Sequence, residues 1–419
     1  MSLAELSSDS LLAAFFLYTF SFIFFVVAIT GKRFNTADPQ RHAKRWGNIG
    51  FGMAVLGLIG QLTFFFTRWV AAGHIPTSNM FEFMTFLGMM IMIAFIIVYL
   101  IYKVPVLGAF SMPVGVIIIA YASVFPQDIT PLIPALQSYW LKIHVTTAAT
   151  GEAFFAVGFA AGMMHLMRTV KFGSREVKDR RKQRGVEFTI LFVFFIVAFV
   201  ISAFGFKGIG YEAHFTQEKI VTGTDSVPFV QTETVDYFMP PIVKPYNSQV
   251  VTMDSFLGIS QPLFEAPSWM NGVNAGRKLN TVLWSLLTGL LLYWLLRLVL
   301  RQPIGAAIQP AMEGLDPEDL DEISYRAIAI GYPIFSLGAL IFAMIWAQEA
   351  WGRFWGWDPK EVWALITWLF YTAYLHLRLS RGWQGERSSW LSVIGFIIVM
   401  FTLVGVNLII AGLHSYAGV

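Results

Sequence analysis

The 419-residue chain contains no cysteine. That excludes disulfides, thiolate metal ligation and thiol redox chemistry within it. Charge is scarce as well: 13% of residues are Asp, Glu, Lys or Arg, against roughly 25% for a soluble domain. A basic leader is lacking at the start. The first apolar run, residues 11–29, follows Glu5 and Asp9, precedes Lys32 and Arg33, and has no small-residue cleavage site, so it reads as a retained helix. There is no alternating pattern of the kind that marks a barrel strand. What remains is strongly apolar, with 56% hydrophobic and 16% aromatic residues. Apolar runs of about 18–20 residues, enough to cross a bilayer, recur from end to end. Backbone groups in hydrocarbon can only bond to one another, so the expected fold is an all-α polytopic transmembrane bundle.

About ten spans are expected, centred near Phe22, Leu58, Met90, Val116, Phe155, Phe195, Leu290, Leu337, Leu369 and Ile398. Basic clusters fall at residues 31–45, 168–184, 297–326 and 378–387, which the positive-inside rule makes cytoplasmic. Lys103, in the short turn after the third span, is the exception. Residues 68–80, 125–144, 205–280, 348–360 and 413–419 then face outward, and an even span count puts both termini outside. Residues 205–280, between spans six and seven, are rich in Thr, Pro, Val and Gln, and read as an external loop or small strand-bearing insert. His214 and Trp269 in it are not assigned to a site. The net charge of +3 belongs to the cytoplasmic loops, and no nucleic-acid partner is expected.

The most unusual stretch is residues 346–363, which hold five of the 14 tryptophans: Trp346, Trp351, Trp355, Trp357 and Trp363. An interfacial aromatic belt accounts for two or three of them. Five, interleaved with Gly352, Gly356, Arg353, Lys360 and three acids, fit a docking platform for a large, flat, anionic molecule on the outer face. Two histidines share that face by the charge topology. His144 opens the fifth span and His414 follows the last, and two imidazoles there can take one iron from opposite sides of a porphyrin. His376 lies inside a span, about 24 Å along a helix starting near Lys360, where ionisable groups are functional candidates or snorkel to the interface. His165 has a similar depth. His74 faces outward, in a segment where Ser78 and Asn79 can cap the third span. Glu152 and Glu349 stay unassigned.

Trp351-Gly-Arg-Phe-Trp355-Gly-Trp357-Asp358 resembles the WWD haem-binding signature of haem-handling proteins. The run to Glu361, Trp363-Ala-Leu-Ile-Thr-Trp368, Tyr374-Leu-His376-Leu-Arg378 and Ile323-Ser-Tyr325-Arg326 are similar to the CcsA/ResC branch of system II cytochrome c biogenesis. So are Gly412-Leu-His414-Ser-Tyr416, Gln137-Ser-Tyr-Trp140-Leu-Lys-Ile-His144 and Gly73-His74-Ile-Pro-Thr-Ser-Asn79. Phe354 stands where related haem lyases often carry Trp or Tyr, and residues 205–280 are longer than this family usually needs.

The resemblance implies haem b as substrate and ligand. His144 and His414 flank haem at the tryptophan platform, where Trp346, Trp351, Arg353, Phe354, Trp355, Trp357, Asp358, Trp363 and His74 complete the binding set. His376 ligates iron during export, with the second ligand supplied by a ResB-type membrane subunit. An apocytochrome c with Cys-x-x-Cys-His is the acceptor, and a chain without cysteine offers it no competing thiol. Asp358 either orients a neighbouring side chain or, before Pro359, starts a helix. The implied setting is a bacterial plasma membrane and the implied activity is part of a holocytochrome c synthase. Two other readings are a haem export or binding module without catalysis and an ion- or quinone-coupled transporter.

Overall fold

The computed structural model describes residues 2–30, 38–129, 132, 136–222, 228–270 and 275–406. His414 lies outside them. Twelve helices are present among the described residues: α1 (Leu3–Thr30), α2 (Pro39–Ala72), α3 (Met80–Tyr102), α4 (Pro105–Ala122), α5 (Tyr139–Thr169), α6 (Val177–Gly208), α7 (Ala275–Leu300), α8 (Ile304–Ile308), α9 (Pro317–Phe335), α10 (Ala343–Trp351), α11 (Pro359–Arg381) and α12 (Glu386–Met400). The chain is an integral membrane protein with an all-α bundle. Eight segments are long and apolar enough to span, with α9 and α10 joined as one. At 31 and 23 residues, α5 and α11 are long enough to cross a bilayer. They are the less apolar pair because they carry His144, Thr150, Glu152, Lys360, Glu361 and His376.

The chain divides into two compact units, one of residues 1–189 and 302–418 and the other of residues 190–301. At the centre of the first is α5, buried almost without interruption from Ala148 to Met167. Small residues make its packing possible. A Cβ on Gly151 would sit 2.6 Å from the Phe335 backbone nitrogen, and one on Gly158 would meet Ile328. The α9 helix continues into a π segment, Ser336–Phe342, before α10 resumes regular winding. Ser336 Oγ accepts from Trp368 Nε1 at 2.9 Å, and Tyr332 pairs with Thr372 at 2.7 Å, which ties this column to α11.

Between α2 and α3 the polypeptide turns through Gly73, at φ 71°, and Asn79 caps α3. A buried ion pair, Arg68 Nε to Glu82 Oε1 at 2.8 Å, holds this turn. Glu82 Oε2 also accepts from the Ser78 backbone and hydroxyl, and Arg68 donates to the Gln127 carbonyl. Every charge there is answered by hydrogen bonds, the condition for burying an ion pair.

The second unit contains the insert, which is strand-bearing. Strands β1 (Ala213–Thr222), β2 (Pro228–Tyr237) and β4 (Ser248–Met253) form an antiparallel sheet in the order β2-β1-β4. Two short strands, β3 (Val243–Lys244) and β5 (Phe264–Glu265), pair in parallel. Phe215, Val235 and Tyr237 form one side of its core, and Phe206 of α6 and Trp284 of α7 pack into the same cluster.

Candidate functional site

A cavity of about 1250 Å³, counting its open mouth, lies in the first unit. Its walls come from four places: the turn before α3, the N-terminal half of α5, the column 335–347, and the tryptophan segment with the head of α11. His144 and Glu152 enter it from α5, eight residues or about 12 Å apart along the helix. Trp346, Phe354, Trp355, Lys360 and Glu361 line it from the opposite side, and Thr77, Ser78 and Asn79 close one edge.

His144 is the most constrained of these side chains. Its Nδ1 lies 2.9 Å from the Gly338 carbonyl oxygen, in the π segment. A carbonyl can only accept, so Nδ1 carries a proton and the ring is oriented by this bond. The imidazole stacks on Trp346 at 5.7 Å between centroids and 13° between planes. Trp346 is buried, and Trp351 meets it edge-on at 4.8 Å. Gly338 permits this approach: a Cβ there would lie within 2.7 Å of Ala148 Cα. A ring nitrogen bound to a backbone carbonyl is the usual preparation of a histidine for a metal.

The tryptophan segment is held by its own backbone chemistry. Gly352, at φ 69°, closes α10 by donating to the Gln348 carbonyl. Trp357 takes the left-handed region at φ 57°, unusual for a bulky residue, and its ring is 71% exposed. Arg353 folds over Gly356, where a Cβ would collide with its guanidinium. Asp358 is the N-cap of α11. Its Oδ1 accepts from the Lys360 backbone nitrogen at 3.1 Å, while Glu361 Oε2 accepts from the backbone of Asp358 at 3.1 Å and Gly356 at 2.7 Å. Of the two roles considered for Asp358, this capping box, followed by Pro359, supports the helix start. Asp358→Ala is expected to destabilise the detergent-solubilised chain by about 1 kcal/mol, as cap removal does. Asp358→Asn, which still caps, should keep the wild-type thermal midpoint; an Asn variant as unstable as the Ala one would mean the charge itself is used.

Other predicted residues fall elsewhere. Trp363 on α11 is not among the cavity's lining residues and packs on Phe401 at 4.4 Å with the planes inclined by 51°. His74 is buried beneath the turn, its Nδ1 3.1 Å from the Ile75 carbonyl, and does not line the cavity. His376 is exposed on the outside of α11, with Ser380 Oγ 3.5 Å from Nδ1. His165 is buried near the C-terminal end of α5. Close to its Nε2 is Gly385, at 3.8 Å for a Cβ built there.

Three contributions escaped sequence reasoning. Glu349 accepts from Ser138 Oγ at 2.8 Å, and the same Ser138 caps α5, so the N-terminal end of α5 is joined to the C-terminal end of α10. Glu152 presents a carboxyl to the cavity with one oxygen unpaired among the described residues. Near the C-terminal end of α11, Arg378 bonds Asp321 at 2.6 Å and Ser388 at 3.1 Å and lies over Tyr325. This joins Tyr374-Leu-His376-Leu-Arg378 to Ile323-Ser-Tyr325-Arg326, two runs with no evident relation in sequence.

A sequence model of a family described as Cytochrome C assembly protein matches residues 77–211 and 284–414. The interval between the two matched stretches, 212–283, contains all five strands of the insert. Over 375 residues the chain is 32% identical to the cytochrome c biogenesis protein CcsA of Nostoc punctiforme, with 87% of each chain covered. It is 28% identical over 368 residues to the protein of the same name from Gloeobacter violaceus, covering 87% of this chain and 84% of the relative. A third such protein, from Synechococcus sp. strain JA-3-3Ab, is 29% identical over 392 residues, covering 88% of this chain and 89% of the relative.

Proposed function

The chain belongs to the cytochrome c assembly protein family and acts in cytochrome c biogenesis, and from that premise we propose that it carries haem b across the membrane and presents it in the outer cavity for covalent attachment. The observation that carries this reading is His144, oriented by the Gly338 carbonyl and stacked on Trp346 at the wall of a cavity that Phe354 and Trp355 also line. The residues present fit a porphyrin. Imidazole suits iron, Phe354 and Trp355 line the cavity with aromatic rings, and Lys360 in the same lining supplies a cation for a carboxylate.

In this reading His144 and His414 are the two axial ligands outside. Residues 346–363 position the vinyl edge, so most of the rate effect of the site is orientation. Bound haem supplies the vinyl groups; each acceptor thiol adds across one, forming a carbon–sulfur bond while its proton goes to the neighbouring carbon. The acceptor's own histidine then replaces one of the two protein ligands.

His376 supports a second, inner site shared with another subunit. A histidine exposed on the outside of a bundle helix, about 24 Å from Lys360, is available to a membrane partner of the ResB type. The basic loops favour a cytoplasmic location for residues 168–184, and with it an outward-facing cavity and extracytoplasmic termini in a bacterial plasma membrane.

The test is co-expression of the full chain with a ResB-type subunit and a reporter apocytochrome in a host without its own maturation genes. Holocytochrome, read by haem staining after denaturing electrophoresis, should accumulate only when this chain is present. Equal staining without the chain would overturn the proposal, while reporter-free haem binding with no staining would favour an export module.

A further inference from the structure

The strand-bearing insert carries exposed apolar side chains that its own core does not use. Leu257 is 84% exposed, Phe264 66%, Leu263 58% and Ile259 40%. They cluster in two places, and both are fastened to the outer ends of α6 and α7 within one compact unit.

The first is the turn 256–259. Phe256 and Ile259 exchange backbone hydrogen bonds of 3.0 and 2.9 Å, and the two residues between them both take positive φ, 51° at Leu257 and 81° at Gly258. A two-residue turn of this kind favours Asn, Asp or Gly at its first central position. Leucine there is conformationally unfavourable and gains no burial in the fold, so the fold alone gives no reason for it. Phe256, beside it, points inward and packs on Phe206 at 5.2 Å and Trp284 at 5.6 Å.

The depth of those two anchors follows from the helices. Arg277 and Arg297 of α7 are 20 residues apart, about 30 Å along the axis, which matches the hydrocarbon thickness. Trp284 is therefore roughly two turns inside the outer boundary, with its ring tilted back toward it. In α6, the uncharged stretch from Phe188 to Phe206 spans a similar length and ends at Lys207, so Phe206 marks the same boundary. A turn fixed to these two rings lies at the level of the lipid headgroups.

The second place is the strand pair β3 and β5. Asn280, one turn below Arg277, accepts from the Ile242 and Val243 nitrogens at 2.8 and 2.9 Å. Ile242 in turn accepts from Leu263 and Phe264. The exposed Leu263 and Phe264 are thus fixed to the same depth of α7 as the turn.

We propose that Leu257, Ile259, Leu263 and Phe264 enter the outer leaflet, so that the insert is anchored on the lipid surface and does not stand free in water. The occupant is lipid because the patch is fastened to α6 and α7, two membrane-spanning helices whose Phe204, Leu286, Leu287 and Leu290 are also exposed. Apolar side chains on a rim held at the interface gain free energy by entering it.

A chain without cysteine makes the test clean. Leu257→Cys, Phe264→Cys and Thr232→Cys, each the sole cysteine of the full chain, are spin-labelled and reconstituted alone in phosphatidylcholine–phosphatidylglycerol nanodiscs. Thr232 is exposed on β2, five residues from the end where Tyr237 joins the core, about 17 Å farther out. Labels at 257 and 264 should be relaxed by oxygen and shielded from an aqueous nickel chelate, with the opposite behaviour at 232. Labels at 257 and 264 open to the nickel chelate would overturn the proposal and leave the patch to a protein partner. Labels closed to both reagents would overturn it too, because the patch would then be sealed by protein.

Discussion

Replacing His144 with alanine should lower haem occupancy of the purified chain by at least the roughly 10–100-fold seen when only a supporting partner of a metal ligand is removed. Reporter cytochrome should fall in parallel. The substitution leaves a space beside Trp346, so added imidazole should enter it and restore part of the haem absorbance. A variant that merely misfolds would not respond to imidazole, which separates loss of a ligand from loss of structure. Full haem occupancy in His144→Ala would remove this residue from the ligand set.

The second large effect is expected at Gly338, which touches no part of the cavity surface. Its absent side chain lets the π segment lie against α5, and its carbonyl holds the His144 proton. Gly338→Leu must push Ala148 away, an overpacking that costs roughly 1–3 kcal/mol, and it breaks a hydrogen bond worth about 1 kcal/mol. Haem affinity should fall by roughly 10–100-fold, as for other lost partners of ligating histidines. Gly338→Ala should be milder in both respects. Haem titration by difference absorbance, beside thermal unfolding of the same samples, measures the two effects. A Gly338→Leu variant with wild-type affinity and midpoint would show that the close approach is not needed.

Much of this was legible in the residues. Long uncharged runs dictate helices in a membrane, and five tryptophans in 18 residues exceed what an interfacial belt requires. The pattern Asp358-Pro359-Lys360-Glu361 contains a capping box, and His144 at the mouth of its span was placed on the platform side by loop charges alone. What stayed hidden depends on contacts distant in sequence. The Gly338 carbonyl is 194 positions from His144, and it is presented by a π segment that no local composition announces. Ser138 and Glu349 are 211 apart. The left-handed backbone of Trp357 runs against its residue type, which no propensity argument would place there. Residues 205–280 read as a loop or strand-bearing segment because they are rich in Thr, Pro, Val and Gln; the sheet becomes clear only when β1 pairs on both sides.

The same physics explains why the span count is difficult to read. Hydropathy marks long uncharged helices, and α5 and α11 fall short because they carry polar residues, of which His144, Glu152, Lys360 and Glu361 line the cavity.

The most direct test of the central claim is the absorption spectrum of the purified full-length chain, expressed with a ResB-type subunit. A low-spin haem spectrum, converted to a five-coordinate one in His144→Ala, is the result this account predicts. No haem absorbance in the wild type under those conditions would contradict it and return residues 346–363 to an aromatic girdle at the membrane surface.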